Sequence, residues 1–175
     1  MRSSKEKRKF KMYGLVPYNI SDKQKGIQFG HAVVRYGRKY RSAKTKLGKD
    51  FNNWEWEGET FIILDGGTTN LNPSRLGTLN IHLNVLEEHG IKVATFHEVD
   101  LGDQLSAVVF LVDDRVWDRV SYPDFEYPRG AGFPKTYNWD ADPAYIKWKK
   151  KFNTDKYTTD TIIWLRSYLR PLKLA

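Results

Sequence analysis

Residues 97–103 read His-Glu-Val-Asp-Leu-Gly-Asp, which places four ionisable side chains within seven positions, and Ser106 follows shortly after. The segment falls between two apolar runs that read as strands, and loops at strand ends are where α/β folds keep their sites. Across such a loop the Ser106 hydroxyl can face the Asp100 carboxylate, a pairing of groups that handle protons and hydrogen bonds. A solvated turn with a capping Asp fits the same residues. The four histidines, at 31, 82, 89 and 97, are scattered, so metal ligation would require folding to bring them together. His31 falls near Gln28 on what the periodicity makes the inward face of a helix, where a hydrogen-bonded core histidine is the plainer reading. Gly66-Gly67 fits a turn as well as a phosphate contact, and the chain has no P-loop, dinucleotide fingerprint or H-E-x-x-H motif. With no cysteine there is no disulfide, thiolate nucleophile or Cys-ligated zinc, so neither cofactor nor metal is expected.

The elements that would position these residues are legible in order. Met12–Val16 reads as a first strand stopped by Pro17. Ser21-Asp22-Lys23-Gln24 is an S-x-x-Q capping box and predicts a helix from Ser21 to about Tyr40. Ile27, Gly30, His31 and Val34 recur at i, i+3, i+4 and i+7 and are expected to face a sheet. Residues 42–58, with the acidic aromatic cluster Trp54-Glu55-Trp56-Glu57, carry no assignment. Thr60–Leu64 reads as a buried strand ending in Asp65-Gly66-Gly67, and a second helix is expected over about 73–89, closed by Gly90. Ile91–Phe96 and Leu105–Val112 complete the strands. The eight residues between them are too few for a crossover helix, so the last strand should run antiparallel on an otherwise parallel sheet. The expectation is an α/β layered domain, a four-stranded mixed sheet flanked by helices. It would comprise a basic N-terminal tail at 1–11, the domain at 12–112, and an aromatic, basic C-terminal extension at 113–175. Within that extension Tyr122–Pro134 reads as an irregular, ordered arm, and terminal helices are expected over 142–152 and 157–170.

The net charge of +8 on 175 residues is segregated along the chain. Residues 1–11 hold six basic groups against one acid, and residues 31–50 hold seven against one. Residues 51–146 are net acidic, and 147–175 are basic again. Such segregation favours an anionic partner, with nucleic acid first, although basic tails also serve solubility. No apolar run approaches the roughly 20 residues of a membrane-spanning helix, and none resembles a secretory signal. A reducing cytoplasm is the expected location, and no membrane partner is expected.

The stretch from Ser21 to Ala32, with Gln28 followed by His31-Ala32, is similar to the first-helix signature of the type II peptidyl-tRNA hydrolases. The resemblance covers about residues 11–112 and looks closest to the divergent versions found on bacteriophage genomes, which implies action on translation in a host cytoplasm. It implies a substrate too, the ester joining a peptide to the 3′ end of tRNA. By position, Asp100 would orient or deprotonate the attacking water and Ser106 would hold that water or the developing oxyanion. The family's catalytic Lys falls where this chain has Gln24, flanked by Lys23 and Lys25, either of which would supply the positive charge. Gln28 and His31 would face substrate, and Arg35, Arg38, Lys39 and Arg41 would contact phosphates. The family's loop before the hydroxyl residue is longer and carries an Arg-Thr pair that Leu101–Leu105 lacks.

The same features suit a module of this fold that holds tRNA or another RNA without cleaving it. Trp148, Tyr157 and Trp164 fit either stacking on exposed bases or packing in a helical core. A protein-interaction role for Trp54–Glu57 is a third reading, and the sequence leaves a homodimer open.

Overall fold

In a computed structural model the described residues are 9–124, 143–152 and 156–175. They divide into two compact units, one extending to Asp114 and including Pro171–Ala175, the other comprising Arg115–Arg170. The first eight residues of the basic tail and most of the Tyr122–Pro134 arm lie outside the described residues.

The first unit is an α/β layer built on four strands, β1 (Phe10–Val16), β2 (Phe61–Asp65), β3 (Val93–Glu98) and β4 (Gln104–Asp113), in the order β2-β1-β4-β3. β1 pairs parallel with β2, and β4 runs antiparallel to both β1 and β3, as the short β3–β4 connection requires. One sheet face carries helices α1 (Asp22–Tyr40) and α2 (Lys46–Glu57), and α3 (Thr78–Glu88) packs against β3 and β4. Residues Met12, Val16, Phe29, Ala32, Tyr36, Phe51, Trp54, Ala107 and Val109 form the core beneath α1 and α2. Fully burying a side chain the size of Val, Met or Phe contributes about 1.5–3 kcal/mol over leaving it exposed.

The capping box forms as the sequence predicts. The Ser21 hydroxyl accepts from the Gln24 N–H at 3.3 Å, and Gln24 Oε1 accepts from the Ser21 N–H at 3.2 Å. The face that α1 buries differs from the expected one. Gln28, Phe29, Ala32, Tyr36 and Gly37 turn inward, while Ile27, Gly30, His31 and Val34 are exposed. The cause is volume: Phe29 and Tyr36 bury far more apolar surface than Ile27 and Val34, and one residue's displacement rotates the helix by about 100°. Gly14 admits this arrangement, because a methyl group there would overlap the Phe29 ring.

α2 was unassigned from sequence. Thr45 caps it by accepting from the Gly48 N–H at 3.0 Å, and Phe51 and Trp54 bury against Tyr36 and the sheet. The second predicted helix is split into a 3-10 turn at Pro73–Arg75 and α3, with Gly77 at the α3 N-cap and Gly90 (φ +73°) reversing the chain beyond it.

Both sheet edges are occupied. The C-terminal residues pair antiparallel with β2: the Asp65 N–H donates to the Lys173 carbonyl at 2.9 Å, and the Ala175 N–H to the Ile63 carbonyl at 3.0 Å. On β3, the Val93 carbonyl accepts from Tyr40 Oη (3.0 Å) and Lys39 Nζ (3.4 Å), and the Thr95 carbonyl accepts from Arg35 Nη1 at 3.2 Å. Side chains thus satisfy backbone groups that would otherwise template pairing with another chain.

The second unit contains α4 (Pro143–Phe152) and α5 (Lys156–Leu169). Arg166, only 1% exposed, ties α5 to the preceding segment through the Val116 carbonyl (2.6 Å), Asp124 (2.7 Å) and the Asp118 carbonyl (3.3 Å). Trp148 stacks on Tyr145 and Trp164 on Tyr168, whose hydroxyl pKa burial pushes upward; the Tyr157 side chain lies outside the described residues. No described helix is long and apolar enough to cross a membrane.

Two predictions follow from this packing. Gly14→Ala forces Phe29 and α1 away from β1, and urea denaturation should show about 1–3 kcal/mol of lost stability, the usual effect of overpacking. His82 on α3 is partly buried, and burial holds its imidazole pKa below the ordinary 6.5, partly offset by the Asp65 carboxylate. The unfolded chain therefore takes up this proton more readily than the folded one. Stability contributed by neutral His82 is present above 6.5 and lost as pH falls below it. His82→Gln should flatten the slope of the urea midpoint against pH in that interval.

Candidate functional site

A cleft of about 530 Å³ opens where the N-terminal half of α1, the end of β3, the start of β4 and the loop after β2 meet. Its polar lining consists of Asn19, Gln24, Gln28, Thr69, Asn70, Glu98, Asp100, Gln104 and Ser106. At its base lies Gln28, 6% exposed, with Nε2 donating to Glu98 Oε2 at 2.5 Å and Oε1 accepting from Ser106 Oγ at 3.1 Å. The Ser106 hydroxyl, 2% exposed, also lies 3.2 Å from the Phe96 carbonyl oxygen. A carboxamide suits this place, since one end donates to a carboxylate while the other accepts from a hydroxyl.

Three elements hold the cleft open. Gln24 and Gln28 lie one turn apart on α1, so both reach the same side. The loop after β2 begins with Asp65 Oδ1 accepting from the Gly67 N–H at 2.7 Å, a turn in which Gly67 adopts φ +80°. Its next residues are fixed by the buried Asn80 of α3, whose Oδ1 accepts from the Asn70 N–H at 3.0 Å and the Thr69 hydroxyl at 3.4 Å. Behind β3 a 3-10 turn, Val99–Leu101, and the left-handed Gly102 return the chain into β4.

Of the sequence-predicted residues, the structure gathers Gln28, Asp100 and Ser106 around this cleft. Asp100 is exposed at its lining and has no side-chain partner among the described residues. The Ser106 hydroxyl was expected to face Asp100; the acceptors within its hydrogen-bonding distance are Gln28 Oε1 on α1 and the Phe96 carbonyl on β3 instead. Lys23 and Lys25 do not line the cleft. Each is one residue from Gln24 and so turned about 100° aside, and Lys25 Nζ pairs with Asp22 at 3.1 Å. Among the described lining residues there is no Lys, Arg or His.

The remaining predicted contacts lie elsewhere on α1. His31, exposed rather than inward, stacks on Phe96 with centroids 4.6 Å apart, and the Arg35 guanidinium lies 4.5 Å over the same ring. Lys39 joins Arg35 along the β3 edge, while Arg38 and Arg41 border a separate groove between α1 and α2. Arg41 spans it to Glu55 at 2.8 Å. No three described His, Asp or Glu side chains are placed to hold a metal ion. Glu98 is the site residue that sequence reasoning did not single out; its signal was its place at the strand end, directly before the turn.

Replacing Gln28 by Met keeps the volume but leaves Glu98 and Ser106 without their shared partner. Loss of about 1–3 kcal/mol in chemical denaturation is expected from the stranded polar groups; an unchanged midpoint would show the network to be energetically idle. No protein-family model matches this chain, and no curated protein matches it.

Proposed function

We propose that the chain hydrolyses the ester between a peptide and the 3′ end of tRNA, in the cleft formed by α1, β3 and β4. The observation that carries this reading is the convergence of the unpartnered Asp100 carboxylate with the Gln28–Ser106–Glu98 network on one cavity. Asp100 takes the proton of the attacking water as its oxygen bonds to the ester carbonyl carbon, and returns it to the ribose 3′ oxygen when the ester C–O bond breaks. Ser106, with its own proton directed to Gln28 and Phe96, offers an oxygen lone pair that helps to place that water. Because neither Lys23 nor Lys25 lines the cleft, the developing oxyanion is met by neutral carboxamide donors, for which Gln24, Asn70 and Gln104 are positioned in the lining. The phosphates are held outside it by the basic surface of α1.

A second reading, an RNA-binding module without turnover, is favoured by the cation-free lining of the cleft. One experiment separates the two. Release of N-blocked aminoacyl groups from a peptidyl-tRNA analogue is measured for the intact protein and Asp100→Asn at matched salt. The hydrolase reading expects turnover that falls by about 100-fold or more in the variant, the scale of a lost general base, while tRNA affinity changes little. Absence of turnover with tRNA binding that weakens steeply between low and physiological salt supports the second reading. Turnover undiminished in Asp100→Asn would falsify the role given to that carboxylate.

A further inference from the structure

The groove between α1 and α2 has features of a ligand site distinct from the cleft. It encloses about 590 Å³, within the range of small-molecule sites, and is walled by Val33, Val34, Phe51, Trp54 and Phe61. Phe51 and Trp54 are buried, but the Phe61 ring is 51% exposed, its buried side held edge-on by Phe29 (5.2 Å) and Trp54 (5.5 Å). A rigid aromatic ring with one open side is a stacking platform.

Two charges border this apolar space without side-chain partners among the described residues, the exposed Arg38 guanidinium and the exposed Glu59 carboxylate. The neighbouring pair, Arg41 and Glu55, is already joined. Glu59 also adopts φ +43°, a left-handed conformation rare for a residue with a Cβ, immediately after α2 ends at Glu57. Its backbone N–H is fixed on the Trp54 carbonyl at 2.9 Å, so the residue is held at the groove by the helix end.

The geometry points to a guanine nucleotide as the occupant of this groove, either free or as an unpaired residue of an RNA strand. An anionic partner is needed for Arg38, a flat ring for Phe61, and a pair of adjacent donors for Glu59. Guanine presents N1–H and N2–H side by side on its Watson–Crick edge, matching the two acceptor oxygens of a carboxylate, and adenine, cytosine and uracil do not. The phosphate answers the guanidinium. The site goes beyond the proposed ester hydrolysis and is tested without it, since nucleotide binding is read with no tRNA ester present.

The test is calorimetric titration of the intact protein with guanosine 5′-monophosphate, the corresponding adenosine nucleotide and guanosine. The guanine nucleotide should bind at least about tenfold more tightly than the adenine one. Phe61→Ala should weaken it by about tenfold, the scale of a lost base stack. Arg38→Ala should weaken the nucleotide but leave guanosine unchanged, and Glu59→Gln should erase the preference for guanine over adenine. Phe61 also supports the core, so the exposed Arg38 and Glu59 variants decide the matter if Phe61→Ala does not fold. Equal affinity for the two nucleotides, no binding at millimolar concentration, or Arg38 and Glu59 variants that bind like the intact protein would each overturn the assignment.

Discussion

The arrangement depends on how closely α1 can approach β1. At Gly14 the strand lacks a side chain on the helix-facing side, and the Phe29 ring occupies that space. Once Phe29 is fixed there, the rotation of α1 is set and the consequences run along its length. Gln28, the adjacent residue, is carried inward to meet β3 and β4 at Glu98 and Ser106. Tyr36, two turns further, packs against Phe51 and brings α2 onto the same sheet face. Ile27 and Val34 are left outward, and Val34 joins the apolar wall of the α1–α2 groove. The polar network at Gln28 and the exposed apolar stripe of the same helix are thus two results of one packing contact.

The same rotation decides what the cations of α1 do. Residues 31–50 carry seven basic groups, and charge alone would assign all of them to an anionic partner. Several have structural work as well. Arg35 and Lys39 donate to β3 carbonyls that no strand reaches, and Arg41 ties α1 to α2 through Glu55. Their methylene stems cover apolar surface while the heads satisfy an edge, as long cationic side chains commonly do. The guanidinium of Arg35 over Phe96, beside the stacked His31, adds a contact of the same kind. Arg38, turned from the edge, is left unpaired among the described residues.

How much of this was legible follows from the range of each interaction. The capping box at Ser21, the closing turn at Gly90 and the antiparallel return of β4 are local, and their residues sit within a few positions of one another, so the sequence reveals them. The buried face of α1 is different. Two apolar sets one residue apart compete along the helix, and the choice between them depends on Gly14, fifteen residues away on another element. α2 was hidden because its three anchors, Leu47, Phe51 and Trp54, lie among Asn, Asp, Glu and Gly, which weaken a helical pattern taken alone. In the cleft, Gln28 and Ser106 were named from sequence, but their direct bond spans 78 positions. Glu98 was marked in the sequence only by its place before the turn, among ionisable neighbours; the register of β3 against β4 directs it toward Gln28.

The cleft and the groove differ in the chemistry their linings offer. Inside the cleft, carboxylates, carboxamides and hydroxyls can position water and donate to a developing negative charge, yet the described lining offers nothing to neutralise a phosphate. Under the proposed hydrolysis, an RNA 3′ end entering it would keep its phosphates hydrated and expose mainly ribose and acyl group, because burying an unpaired phosphate beside Glu98 and Asp100 would be strongly unfavourable. Under that proposal the charge compensation comes from outside, where α1 presents Arg38 at the groove and the guanidinium and ammonium heads along β3. The two ends of one helix therefore differ in character: the N-terminal half of α1 faces the cleft through Gln24 and Gln28, and the C-terminal half carries the cations. Phe29 packed at Gly14 sets how both halves of that helix lie against the sheet.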